Sequence, residues 1–225
     1  MELIRVKIEA TDFGFTFVIC GAMNPSLHHP SWYNHIEVLS AEELKESLAN
    51  DHAFVPQQAQ FYTSSLKIIC QQQRWQAETS DSKTVDRVRE IASIIFDKRL
   101  AETPINAIGF NFNYIYETTQ LNVGNYLATQ LSGMPFKFPI NEHSVGKISY
   151  SWPIGGNQLN VLVEPSPKGK QFVHIGFNLH IPIKESSTPE RFDLGVMSNQ
   201  IYQDAKPVID EQIAAIINSM NKLKR

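Results

Sequence analysis

The sequence predicts an α+β fold, an antiparallel sheet with helices on one face, and three observations predict it. Long runs alternate with period two. The cleanest sets Val173, Ile175, Phe177, Leu179, Ile181 and Ile183 against His174, Gly176, Asn178 and His180. Residues 83–100 and the segment after Pro207 carry apolar side chains at helical spacing instead. Few of the strand-like runs are separated by helix-length crossovers, which disfavours a doubly wound parallel sheet.

Taken in order, Ile4, Val6, Ile8 and Ala10 alternate with Arg5, Lys7 and Glu9, and Phe13, Phe15, Phe17 and Ile19 continue on the opposite parity. That switch predicts a bulge or turn at 11–14. The Gly, Asn and Pro content of 21–33 predicts a long loop. Ser40 and Glu43 form a capping box that opens a short helix ending near Asn50. Strands follow at 58–64 and 66–73, the second with an extension through Trp75 and Ala77.

In 83–100, Val85, Val88, Ile91, Ala92, Ile94 and Ile95 share a helix face, with Arg87, Arg89, Glu90 and Lys98 elsewhere. Pro104 ends this helix. Ile108, Phe110, Phe112, Tyr114 and Tyr116 then mark the buried side of a long strand, whose other side carries Gly109, Asn111 and Asn113. A short helix at 121–131 and a Pro- and Phe-rich loop lead to a three-stranded meander over 145–183, with Gly155-Gly156 at its first turn. A long helix closes the chain, with Pro207 at its first turn or kinking it near the start. Ile209, Ile213, Ile216, Met220 and Leu223 form its apolar stripe. Each half therefore reads as strand, short helix, meander and longer helix. This order suggests a tandem duplication of 1–103 and 104–225, as two halves or as one continuous domain.

The chain's 225 residues, 42% hydrophobic and 19% charged, exclude collagen-like, disordered and disulfide-stapled classes. Twenty Lys and Arg against 23 Asp and Glu leave a net charge of −3, too balanced for a general polyanion binder and an argument against nucleic acid as partner. The charged opening residues hold no signal-peptide core, and the longest charge-free stretch is broken by Gly, Asn and Pro. With only Cys20 and Cys70, both in apolar runs, the expected setting is cytoplasmic, away from membranes, with reduced thiols.

The sequence lacks a P-loop and the motifs G-x-G-x-x-G, G-x-S-x-G, H-E-x-x-H and C-x-x-C. No cofactor, metal site or catalytic residue is expected on this basis. The loop histidines His28, His29 and His35 have no cysteine or acidic cluster at ligand spacing, so a solvated loop anchored by Trp32 is the simpler reading. His174 and His180 share a strand face but stand roughly 20 Å apart, too far to share an ion. With Asn178, Asn111 and Asn113 they outline a polar face suited to a small ligand, with Gly176 leaving room beside them. The same alternation describes the solvated side of any antiparallel sheet, and that is the favoured reading of this face. Glu164 and Glu117 end strands and are free to pair across space.

The leading expectation is a non-catalytic protein that engages another protein, through its sheet face or through aromatic loop residues Trp32, Phe136 and Phe138. A ligand-binding protein or enzyme with a pocket between sheet and final helix is the alternative. Nucleic-acid binding through a saddle-like sheet comes third.

Overall fold

The computed structural model describes residues 9–50, 52–118, 146–183 and 193–222, with Val123, Gly124 and Leu127 between them. The first described strand, β1, spans Asp12–Gly21 and buries Phe15, Phe17 and Ile19, the odd-numbered face that the alternation predicts. The earlier run Ile4–Ile8 lies outside the described residues.

The predicted loop after β1 contains a 3-10 turn, Pro25–Leu27, and a short helix, α1, over Pro30–His35. Pro30 stands at the start of α1, where its missing N–H costs nothing, and the His29 imidazole accepts the Ser31 N–H as a cap. Helix α2, Ala41–Ala49, begins at the predicted capping box, with Glu43 N–H bonded to Ser40 Oγ and Ser40 N–H to Glu43.

Four strands follow as a meander: β2 Ala53–Val55, β3 Gln58–Tyr62, β4 Lys67–Gln71 and β5 Arg74–Thr79. The predicted extension through Trp75 and Ala77 is thus a separate strand, folded back antiparallel on β4 with Cys70 opposite Trp75. Helix α3, Val85–Ser93, continues into a wider π-type turn, Ile94–Arg99, and buries Val85, Val88, Ile91, Ala92 and Ile95. Strand β6, Ile105–Glu117, buries Ile108, Phe110, Phe112, Tyr114 and Tyr116 as expected.

The second meander is β7 Ile148–Ile154, β8 Asn157–Pro165 and β9 Phe172–Pro182. Gly155 and Gly156, at φ +50° and +83°, close the β7–β8 hairpin in the left-handed conformations its two-residue turn requires. Helix α4 spans Leu194–Lys222. Pro207 lies well inside it rather than near its start, because the helix begins thirteen residues earlier than the proline. Pro207 is exposed, while Ala205, Ile209, Gln212, Ile217 and Met220 are buried.

The nine described strands form an antiparallel sheet in the order β2-β3-β4-β5-β1-β6-β9-β8-β7, so the α+β class stands. From β1 the chain order runs outward as β5, β4, β3, β2, and from β6 as β9, β8, β7. No described helix is long and apolar enough to cross a membrane.

Chain contacts divide the molecule into two units. One comprises Gly14–Asn111 and His180–Gln203. Its core sets Phe17 flat on Phe110 at 4.7 Å and Trp75 edge-on to Phe96 at 5.4 Å. In this unit Asp97 accepts the N–H groups of Leu194 and Gly195, both at 2.9 Å, and the Ser93 hydroxyl at 2.8 Å, capping the start of α4. Arg89 is buried, contrary to its place off the predicted apolar face. Its guanidinium lies 4.3 Å from the Tyr202 ring centre, donates to Asn199 and pairs with Asp86. The other unit comprises Met1–Phe13, Phe112–Leu179 and Asp204–Arg225. Leu159, Val161, Val163, Val173, Ile175 and Phe177 fill its core with Ile209 and Met220.

Candidate functional site

Of the polar-face residues, Asn113, His174 and Asn178 fall in the second of these units, and Asn111 and His180 in the first. Asn113 and His174 meet. The His174 Nε2 lies 3.0 Å from Asn113 Oδ1, and its Nδ1 lies 3.1 Å from Glu164 Oε1, so β6, β9 and β8 each supply one member of the group. A carboxylate only accepts, so Nδ1 carries hydrogen.

Gly176 has a physical reason here. A Cβ at this position would lie 3.2 Å from His174 Cε1 and 3.4 Å from Nε2, so the space beside the glycine holds the imidazole itself. Both ring nitrogens are engaged by neighbouring strands, so the group ties β6, β9 and β8 together. Asn178 and His180 are exposed on β9, and Asn111 is half-buried on β6.

The loop histidines have three different fates. His28 is buried, with Nδ1 2.7 Å from Tyr33 Oη, while Trp75 Nε1 donates to the same oxygen at 2.9 Å. Tyr33 accepts from the indole, and its hydroxyl proton has His28 Nδ1 as a partner when the imidazole carries its own hydrogen on Nε2. Burial pushes the His28 pKa down to about 4 and the Tyr33 pKa well above its ordinary value. Trp32 is half-buried and packs edge-on to Tyr33 at 5.2 Å and His28 at 5.6 Å, so it braces this group instead of standing free. His35 is exposed. Phe136 and Phe138 lie outside the described residues.

His29 does something else. Its ring lies 4.6 Å from Phe54 on β2, and His52 stacks on the same phenyl at 5.1 Å. Beside them opens a pocket of about 290 Å3, lined by Pro25, Ser26, His29, Phe54, Val55, Pro56, Gln58 and Ala59, with no formally charged side chain among them. Leu27, Phe54 and Val55 leave 41, 36 and 52% of their surface exposed around this segment. Sequence reasoning missed Phe54 and Val55 because a three-residue strand is too short for alternation to register.

A second pocket, about 500 Å3, lies between the 37–40 segment and α3. Arg87 there makes a two-point pair with Glu43, at 2.7 Å on each arm, and reaches Val38 O at 3.3 Å. The pairing raises the Arg87 pKa and holds the Glu43 carboxyl below its ordinary range. Among the described residues, no three His, Cys, Asp or Glu side chains are grouped to hold a metal ion. No family model matches the chain, and no curated protein matches it.

Proposed function

We propose that this chain is a non-catalytic binding protein that engages another protein through the aromatic patch at the outer strand β2. The observation that carries the proposal is the exposure of Phe54 and Val55 at a pocket whose lining includes no Asp, Glu, Lys or Arg. An aromatic side chain held between two imidazoles is the rigid, amphipathic kind of anchor that dominates protein interfaces. The pocket beside it has room for an apolar side chain of the partner. Behind the patch, the buried His28–Tyr33–Trp75 chain fixes the segment that carries His29. The setting is a reducing cytoplasm, which the free thiols of Cys20 and Cys70 support.

The experiment compares wild type with Phe54→Asp as bait in the native host, with quantitative mass spectrometry of what each retains. A protein held by wild type and reduced at least about tenfold by Phe54→Asp, at unchanged melting temperature, supports the proposal. Equal recovery of every bound protein by both baits overturns it.

A further inference from the structure

The two ends of the sheet are built differently. At one end β2 has three residues, and shortness is a recognised guard against unwanted pairing. At the other end β7 has seven, Ile148-Ser-Tyr-Ser-Trp-Pro-Ile154, without a single charge. Ser149, Ser151, Trp152 and Pro153 are all exposed on it, and Trp152 leaves 43% of its surface uncovered.

Among the described residues β7 pairs only with β8, and the direction of its outward backbone groups follows from the turn. Ile154 and Asn157 close a two-residue turn with both central residues at positive φ, and such a closing pair is hydrogen-bonded. The register then commits Ile148, Tyr150, Trp152 and Ile154 to β8, opposite Val163, Val161, Leu159 and Asn157. The N–H and C=O groups of Ser149 and Ser151 point away from β8, as does the carbonyl of Pro153. The proline sits where its missing N–H removes nothing from its own sheet.

We propose that β7 pairs antiparallel with β7 of a second copy, about a two-fold axis at Ser151. The strand is self-complementary in that register. Ser151 faces Ser151 of the partner in a hydrogen-bonded pair, and each Ser149 N–H meets the Pro153 carbonyl of the partner subunit. Tyr150 comes opposite the partner's Trp152, and Ile148 opposite the partner's Ile154, all at the closer, non-hydrogen-bonded positions where side chains touch most. Tyr150 is already held, its hydroxyl donating to Gln212 on α4 at 3.1 Å, so little freedom is lost when the partner's indole packs on its ring. The strand itself carries no charge, so the pairing brings no like charges directly opposite each other within it. An isologous contact of this size belongs at the small end of specific interfaces, so association is expected in the micromolar range.

Sedimentation velocity of the full chain, from low micromolar to hundreds of micromolar, tests this. Wild type should move from 25.5 kDa toward twice that mass as concentration rises. Because Ser151 meets its own copy, Ser151→Lys and Ser151→Glu should each stay monomeric, and mixing the two should restore the dimer. A wild type that remains monomeric throughout, single variants that dimerise like wild type, or a mixture that stays monomeric each overturns the proposal. Circular dichroism of both variants checks that they fold, and either failing to do so transfers the test to Trp152→Ser, which should weaken the dimer. Phe54→Asp involves no residue of β7 and should dimerise normally, so failure here leaves the partner-binding reading to its own test.

Discussion

The His28→Gln substitution keeps an acceptor for the Tyr33 hydroxyl and removes a group that titrates. In wild type the His28 pKa falls from 6.5 in the unfolded chain to about 4 in the fold, because burial disfavours the imidazolium. Below pH 6.5 the unfolded chain therefore takes up a proton that the folded one refuses. Stability is whole above pH 6.5, falls as the pH drops, and stops falling from this source once the pH has passed about 4. The difference in pKa corresponds to a loss of about 2 kcal/mol at pH 5 and about 3 kcal/mol by pH 4. Glu43 acts in another window. Its hydrogen bond with Arg87 lowers its pKa from 4.5, so its contribution is present above pH 4.5 and is lost only below that. Urea unfolding at pH 7.5 and pH 5 consequently isolates the histidine. Wild type should lose about 2 kcal/mol more than His28→Gln over that interval. Equal losses in the two proteins, or a His28 ring whose NMR signals titrate near 6.5, would refute the reasoning.

Two further substitutions probe the frame of the same unit. A Cβ on Gly21 would stand 2.0 Å from the Pro104 carbonyl oxygen, a backbone atom that cannot swing aside. Gly21→Ala should cost roughly 3 kcal/mol or more in urea unfolding, and a loss under about 0.5 kcal/mol would contradict that close approach. Asp97→Ala strips the acceptor from two N–H groups at the start of α4 and from the Ser93 hydroxyl. The expected cost is about 1–2 kcal/mol, with faster hydrogen exchange in the first turn of α4 and unchanged exchange in β7 and β8.

How much of this was legible in the sequence depended on how far apart the deciding residues lie. The capping box at Ser40 and Glu43, the glycine turn at 155–156 and the buried faces of β1, β6 and β9 are all local patterns, and each is found in the structure. Helix α1 was hidden because its Pro and Asn content reads as loop, and because an imidazole is an uncommon cap. The start of α4 was hidden for a different reason. Asp97, which caps it, is 97 residues away from Leu194, so no window on the helix itself contains the signal. His28 and Arg89 follow the same rule. A polar residue is buried where distant partners await it, Trp75 by way of Tyr33 for one and Tyr202 with Asn199 for the other.

Part of the polar face bonds to itself across the sheet. Asn113, His174 and Glu164 bridge three strands. In the other unit Gln71 bonds Gln58, its cross-strand neighbour, at 3.2 Å, and Lys67 pairs with Glu78 opposite it at 3.4 Å. A ligand that displaced these pairs would have to replace the hydrogen bonds they now make. Apolar exposure is distributed quite differently. Among the described residues, the exposed large apolar side chains are Phe54 and Val55 on β2 and Trp152 on β7, the two outermost strands of the sheet order, with Leu27 on the 3-10 turn, Leu48 on α2 and Val196 on α4. Burying those side chains against a partner would remove apolar surface from water, and this is the physical ground shared by the partner-binding and strand-pairing proposals.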